Sequence, residues 1–124
     1  MTPLELARMT VRTTGLVMLA LGLLIWTNVA RSVVPVHMLV GIVLVAALWA
    51  EAALALRVGA KPVLPVVALA WGVLTVAFGV TQERIYVLDS HLPVEVAHLV
   101  VGIVAIGLGE ALASVGRRGP VAAA

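Results

Sequence analysis

The sequence of 124 residues contains no cysteine, and only 11% of its residues are charged. The absence of cysteine excludes disulfide bonds, thiolate nucleophiles and cysteine-ligated metal centres. Because soluble domains carry about 25% charged residues, the scarcity of charge excludes a water-soluble globular fold. Disorder is excluded too, since disordered chains combine low hydrophobicity with high charge. The net charge of +2 is too small for a nucleic-acid-binding surface.

Hydrophobic residues make up 63% of the chain, and its mean hydropathy is +1.19. A membrane-spanning helix needs roughly 20 mostly apolar residues, and four stretches meet this requirement. Short linkers between them make consecutive helices antiparallel. The sequence therefore predicts an all-α integral membrane protein with one domain over 1–124, an up-down-up-down four-helix bundle in the lipid bilayer. The predicted spans are 13–29, 33–56, 62–82 and 93–115.

The segment before the first span is polar. Thr2 as N-cap and Pro3 at the first helical position predict a separate short interfacial helix over 4–12. The residues around Trp26 fit a signal-peptide cleavage site poorly, so we expect the first span to be a retained helix.

Basic residues are distributed unequally between the two sides of the predicted bundle. Under the positive-inside rule, this asymmetry predicts that both termini and the second linker face the cytoplasm, in the cytoplasmic membrane. The richer side carries Arg8, Arg12, Arg57, Lys61, Arg117 and Arg118, and the other side carries Arg31 and Arg84.

The second and fourth spans share a pattern in which Ser-x-x-Pro is followed by His-x-x-x-Gly-Ile-Val. Its histidines are His37 and His98, and its glycines are Gly41 and Gly102. The pattern indicates two repeated helical hairpins in the same orientation, as in parallel transporter repeats; chance recurrence of common membrane residues is the alternative. Because the two helices run the same way, we expect both imidazoles at similar depth near the outer face, across the bundle axis.

Two imidazoles suit a low-spin haem iron, whose porphyrin supplies the other four donors. The sequence thus predicts one haem b, with His37 and His98 as metal ligands and Gly41 and Gly102 making room for the flat ring. A zinc or copper site completed by other side chains and a purely structural role for the histidines are the alternatives. Arg31 and Arg84 are candidate partners of the propionates, Thr27, Thr81 and Gln82 are candidate acceptors for the imidazoles, and His91 and Glu95 are the residues that would complete a zinc set.

On these four residues, His37, Gly41, His98 and Gly102, the chain resembles membrane b-type cytochromes of the cytochrome b561 kind. The resemblance covers the second and fourth helices. It implies one haem near the outer face and electron exchange with a quinol or a redox partner protein. Those cytochromes commonly bind two haems, and a second haem nearer the cytoplasm would find no histidine ligands here.

Small residues form stripes on the third and fourth spans, which predict close helix packing in the bundle. On this basis we expect Gly102→Leu to disrupt folding or cofactor loading. The stripes are Ala68, Gly72, Thr75 and Gly79 on the third span, and Gly102, Ala105, Gly109 and Ala113 on the fourth.

Glu51 and Glu110 lie in the apolar spans near the cytoplasmic boundary. We interpret them as interfacial carboxylates close to Arg57 or Arg117. The alternative is a proton or cation site in a small dimeric transporter or channel. A third hypothesis is a non-catalytic accessory subunit, held in a larger complex or a homo-oligomer by its glycine stripes. No hydrolase, phosphate-loop or nucleotide-binding motif is present. The sequence therefore assigns no enzymatic activity, and whether the protein is an enzyme stays open.

Overall fold

The computed structural model describes residues 1–117 as a bundle of four α-helices. Each is long and apolar enough to cross a membrane. The predicted all-α four-helix bundle is confirmed, and the described part of the chain contains no β-strand. Arg118, which the charge argument counted with the termini, lies outside the described residues. The helices are α1 (Pro3–Trp26), α2 (Val34–Arg57), α3 (Val63–Thr81) and α4 (Leu92–Arg117).

Helix α1 is continuous, so the prediction of a separate interfacial helix over 4–12 is wrong. Thr2 caps it as expected, because the Thr2 hydroxyl accepts from the Glu5 N–H at 3.2 Å. In return the Glu5 carboxylate accepts from the Thr2 N–H at 2.7 Å, which completes a capping box. After Pro3 no helix-breaking residue occurs before Gly15, so the polar first turns continue into the apolar span.

The connections between the helices are short. A 3₁₀ turn over Arg31–Val33 leads into α2, and a second over Gln82–Arg84 follows α3. Between α3 and α4, Val87 and Ser90 pair their backbones across two residues, Leu88 and Asp89, at φ 51° and 60°. This left-handed pair closes a tight turn.

Consecutive helices pack against each other, and α1 also packs against α4, which closes the bundle. Helix α2 contacts α4 directly, whereas α1 and α3 do not touch within the described residues. The α2–α4 pair is therefore the short diagonal of the bundle. We call the end with loops 27–33 and 82–91 the histidine end. The opposite end, with the start of α1, the linker 58–62 and the end of α4, is the termini end.

Buried apolar side chains lie between the middle of the bundle and the termini end. Toward the histidine end, Val94 is the one buried apolar side chain within residues 1–117. Large apolar side chains cover the outer faces, for example Leu16 and Val63, and suit contact with hydrocarbon. The core cluster consists of Val11, Leu44, Ala47, Leu48, Ala52, Ala55, Ala68, Ala105 and Leu112.

The small-residue stripes are buried in part. Ala105 and Gly109 on α4 and Ala68 and Gly72 on α3 are buried. The close packing expected at Gly102 is not found, because a Cβ added there would meet no atom of the described residues within 4 Å.

Two tryptophans connect neighbouring helices by hydrogen bonds to backbone carbonyls. The Trp49 indole N–H donates to the Leu69 carbonyl at 3.1 Å, and its ring lies against Gly72. The Trp71 N–H donates to the Val101 carbonyl at 3.0 Å. These bonds link α2 to α3 and α3 to α4. The space left by the missing side chain of Gly72 is filled by the Trp49 indole and not by the backbone of a neighbouring helix.

Candidate functional site

His37 and His98 face each other across the short diagonal of the bundle. His37 lies on α2, six residues after the start of its leading 3₁₀ turn at Arg31, and His98 lies six residues after the start of α4 at Leu92. Because α2 and α4 are parallel and the two rings are close to each other, the imidazoles lie at similar depth. Their ring centres are 6.2 Å apart, and the ring planes are inclined by 47°.

Each imidazole lies against a glycine of a flanking helix. A Cβ added to Gly22 on α1 would lie 3.4 Å from Cε1 of His37, and one added to Gly79 on α3 would lie 3.5 Å from Cε1 of His98. The Phe78 ring is centred 5.9 Å from the His98 ring. All four helices thus contribute to the surroundings of the pair. The sequence pattern pointed to Gly41 and Gly102 as the glycines beside the histidines, and it missed Gly22 and Gly79.

The imidazoles have buried nitrogens without partners. Nδ1 of His37 and Nδ1 of His98 have no hydrogen-bond partner among residues 1–117. The expected acceptors Thr27 and Thr81 instead donate to carbonyls of their own helices, at 2.7 Å each. Because buried polar atoms are nearly always hydrogen-bonded, two such nitrogens on facing rings require an explanation beyond packing.

Gly41 and Gly102, one turn further along α2 and α4 than the histidines, differ in their surroundings. A Cβ on Gly41 would lie 3.1 Å from the Met18 methyl group. At Gly102 the space is open to 4 Å within the described residues. The two glycines therefore differ in packing: a flexible thioether lies against Gly41, and no atom of the described residues lies against Gly102.

Arg31 and Arg84 lie at the histidine end, in the turns that precede α2 and follow α3. Both are exposed, and the Arg31 Nε donates to the Asn28 side chain at 2.6 Å. They are placed where an anionic group at the membrane surface would meet a guanidinium.

The residues that would have completed a zinc site lie apart from the pair. His91 Nδ1 is 3.0 Å from the Ile85 carbonyl oxygen, and its ring is centred 5.3 Å from the Tyr86 ring. Among residues 1–117 there is no group of three or more histidines and carboxylates able to hold a metal ion. A metal at His37 and His98 would thus receive two ligands from the protein and need the rest from elsewhere.

The carboxylates at the termini end occupy two different environments. Glu110 forms ion pairs with Arg12 and, at 3.2 Å, with Arg8, both on α1. We expected Arg57 or Arg117 nearby; the ion-pair partners that the described side chains provide are instead on α1, and the side chain of Arg117 lies outside the description. The spacing of the two arginines, one helical turn apart on one face, was a signal for a shared partner. Glu51 is fully buried, at 0% exposure, which also contradicts its interpretation as an interfacial carboxylate.

No family model, curated protein or solved structure matches the chain. The resemblance to cytochromes of the b561 kind therefore stays a prediction.

Proposed function

We propose that the protein is a small membrane cytochrome that binds one haem b between α2 and α4, with His37 and His98 as axial ligands. The observation that carries the proposal is the facing imidazole pair, with ring centres 6.2 Å apart and buried nitrogens unpaired within the described residues.

The separation of the rings is compatible with one shared metal ion. Metal–imidazole bonds are about 2.0–2.1 Å long, so nitrogens on opposite sides of one ion are about 4 Å apart. The ring centres lie further out than the nitrogens, and 6.2 Å between centres agrees with such an arrangement. An imidazole pair supplies the two axial positions that a porphyrin leaves open.

The surroundings of the pair would also accommodate a flat ring. Gly22 and Gly79 present no side chains to the imidazoles, and Gly102 borders open space. Met18, beside Gly41, has a flexible side chain that can move to another rotamer at low cost. Burial of apolar side chains is concentrated in the other half of the bundle, so this half would lose little packing on accepting a cofactor.

A bound haem would supply reversible one-electron chemistry. The protein would hold the two neutral imidazoles at fixed depth and keep water away with its apolar helices. Arg31 and Arg84 would offer charge-assisted hydrogen bonds to carboxylates at the membrane surface. These roles support electron transfer with a quinol or a redox partner protein.

The test is an absorption spectrum of the full chain, purified from cells supplied with haem. We expect a sharp Soret band and the split reduced α and β bands of a six-coordinate b-type centre. His37→Ala and His98→Ala should each abolish the six-coordinate spectrum, because either change removes one axial ligand.

His91→Ala is the matched control, since this histidine lies in the loop before α4 and contacts Tyr86. It should leave the spectrum unchanged. Thermal unfolding of all three variants separates ligand loss from misfolding. A colourless wild-type protein, or a six-coordinate spectrum that survives loss of His37 or His98, would overturn the proposal.

We infer that both termini face the cytoplasm, because the termini end carries most of the basic residues. Reporter fusions after Ala124 and in the turn at Asp89 test this orientation. Activity of a periplasmic reporter at Ala124 would reverse it and place the histidine pair on the cytoplasmic side.

A further inference from the structure

Glu51 lies far from the histidine pair, in the core of the termini end. It follows His37 by 14 positions on the same helix, which corresponds to about 21 Å along the axis at 1.5 Å per residue. Its side chain is 0% exposed, and neither carboxylate oxygen has a hydrogen-bond partner among the described side chains, those of residues 1–115, or the described backbone. Among the described residues, Glu51 is the only buried residue with a charged side chain.

The Glu51 carboxylate is directed at a niche formed by α1 and α4. A Cβ added to Gly109 would lie 2.8 Å from Glu51 Oε2 and 2.7 Å from a methyl group of Val11. The glycine therefore leaves the room that the carboxylate occupies, next to the ion-paired Glu110 in the sequence.

The charged groups that act on Glu51 come from two helices. Gly109 of α4, against which its Oε2 lies, is followed by Glu110, and Glu110 is ion-paired with Arg8 of α1. Helix α3 has no ionisable residue, and the next one on α2 is Arg57, six positions further on. The environment of Glu51 is thus one arginine and one carboxylate, which are already paired with each other.

Exposure falls stepwise from the surface to Glu51. The side chains of Arg12, Glu110 and Arg8 are 54%, 33% and 23% exposed, and Glu51 is 0% exposed. Arg8 adds an unused donor, because its buried Nε has no partner within the described residues. The termini end thus holds an ion-paired set, Arg8, Arg12 and Glu110, and beside Gly109 a buried carboxylate with two unused acceptors.

A buried carboxylate without a partner is too costly to remain as it is, so it must take up a proton or a cationic partner. A metal cation is a poor candidate, since hard cations need six or more oxygen ligands and Glu51 offers two. We propose that Glu51 is a proton-binding site, which exchanges its proton with water at the termini end through Glu110.

The step balances in atoms and charge. The O–H bond of the Glu51 carboxyl breaks, the proton passes to the Glu110 carboxylate, and from there it leaves to water. The Arg8 side chain stays protonated and moves from Glu110 to the newly charged Glu51. Its Nε–H then donates a hydrogen bond to the Glu51 carboxylate. With Arg8 and Arg12 charged, the four-residue set changes from a charge of +1 to 0. The site acts in this way whatever the histidine pair binds.

Infrared spectra of the full chain in liposomes test the proposal, recorded from acidic to alkaline buffer and in D₂O. We expect the C=O stretching band of a protonated carboxylic acid, which disappears in alkaline buffer and shifts in D₂O. Glu51→Gln should remove the band. Glu83→Gln, which changes an exposed carboxylate in the 3₁₀ turn after α3, is the matched control and should retain it. Absence of the band from the wild-type protein at every pH, or its persistence in Glu51→Gln, would refute the proposal.

The rate at which the band shifts in D₂O tests the role of Arg8 as a positioning residue. Arg8→Gln should slow the exchange by about tenfold or more, because ionised Glu51 loses a charge-assisted hydrogen bond. Arg12→Gln leaves Arg8 in place and should slow it less. Equal rates in the two variants would exclude the movement of Arg8 from the mechanism.

Discussion

The half of the bundle toward the termini end is packed as a protein core, whereas the half toward the histidine end keeps its apolar side chains mostly on the outside. In the first half, Ala105 and Gly109 bring helices together around Leu48 and Leu112. In the second half, Gly22 and Gly79 lie against imidazoles. The same small residue types thus allow close helix packing at one end and contact the histidine pair at the other. The residues that stabilise the bundle are therefore different from those around the candidate site.

The strongest test of this difference truncates one leucine in each half of α2. Leu48→Ala removes a side chain that is 0% exposed in the core. We expect a loss of about 2 kcal/mol in the free energy of unfolding, the lower end of the soluble-protein range, because lipid provides no hydrophobic driving force between helices. Leu39→Ala, at a position 62% exposed toward the histidine end, is the matched control and should cost almost nothing.

Unfolding of both leucine variants in detergent measures these costs. Equal losses would show that both halves are packed alike, and the comparison between the ends would then be wrong.

Two glycines of α4 should respond to alanine with opposite sign. Gly109→Ala forces a Cβ to within 2.8 Å of Glu51 and 2.7 Å of Val11, so we expect a loss of about 1 kcal/mol or more. Gly102→Ala meets no atom of the described residues within 4 Å and improves helix propensity, so it should stabilise by up to about 1 kcal/mol. Thermal unfolding distinguishes them, and destabilisation by Gly102→Ala would mean that this face is closely packed.

The smallest expected effect concerns the tryptophan hydrogen bonds at the middle of the bundle. Trp49→Phe and Trp71→Phe each remove one donor to a neighbouring carbonyl. Interhelical hydrogen bonds in membranes are worth about 0.6 kcal/mol on average, so each variant should lose about that much. A loss several times larger for one of them would assign its indole a packing role beyond the hydrogen bond.

The number and type of the helices follow from the sequence, because a continuous apolar run of this length crosses hydrocarbon as a helix, which satisfies its backbone hydrogen bonds internally. The facing position of His37 and His98 also follows from the repeat, although the Pro–His spacing differs between the two copies. The three-residue 3₁₀ turn over Arg31–Val33 precedes α2, and no residue pattern predicted it.

Partners between helices were less predictable, since helix periodicity defines faces but not which neighbour each face meets. Glu51 lies on nearly the same face of α2 as His37, and this helical periodicity correctly indicated that Glu51 is buried. Its short sequence distance from Arg57 had indicated an interfacial position instead. The pairing of Glu110 with α1 depended on Arg8 and Arg12 belonging to the first span rather than to a surface helix.

The ion pairs between Glu110 and α1 also have a consequence for synthesis and folding, because they join the first and the last helix of the bundle. Because synthesis proceeds from the N-terminus, Arg8 and Arg12 enter the membrane region before their carboxylate partner on α4 exists. An unfinished chain of three helices would hold two arginines and Glu51 without the α4 side of their environment. We therefore expect α4, supplied as a separate polypeptide, to stabilise the three-helix chain by restoring the ion pairs of Arg8 and Arg12.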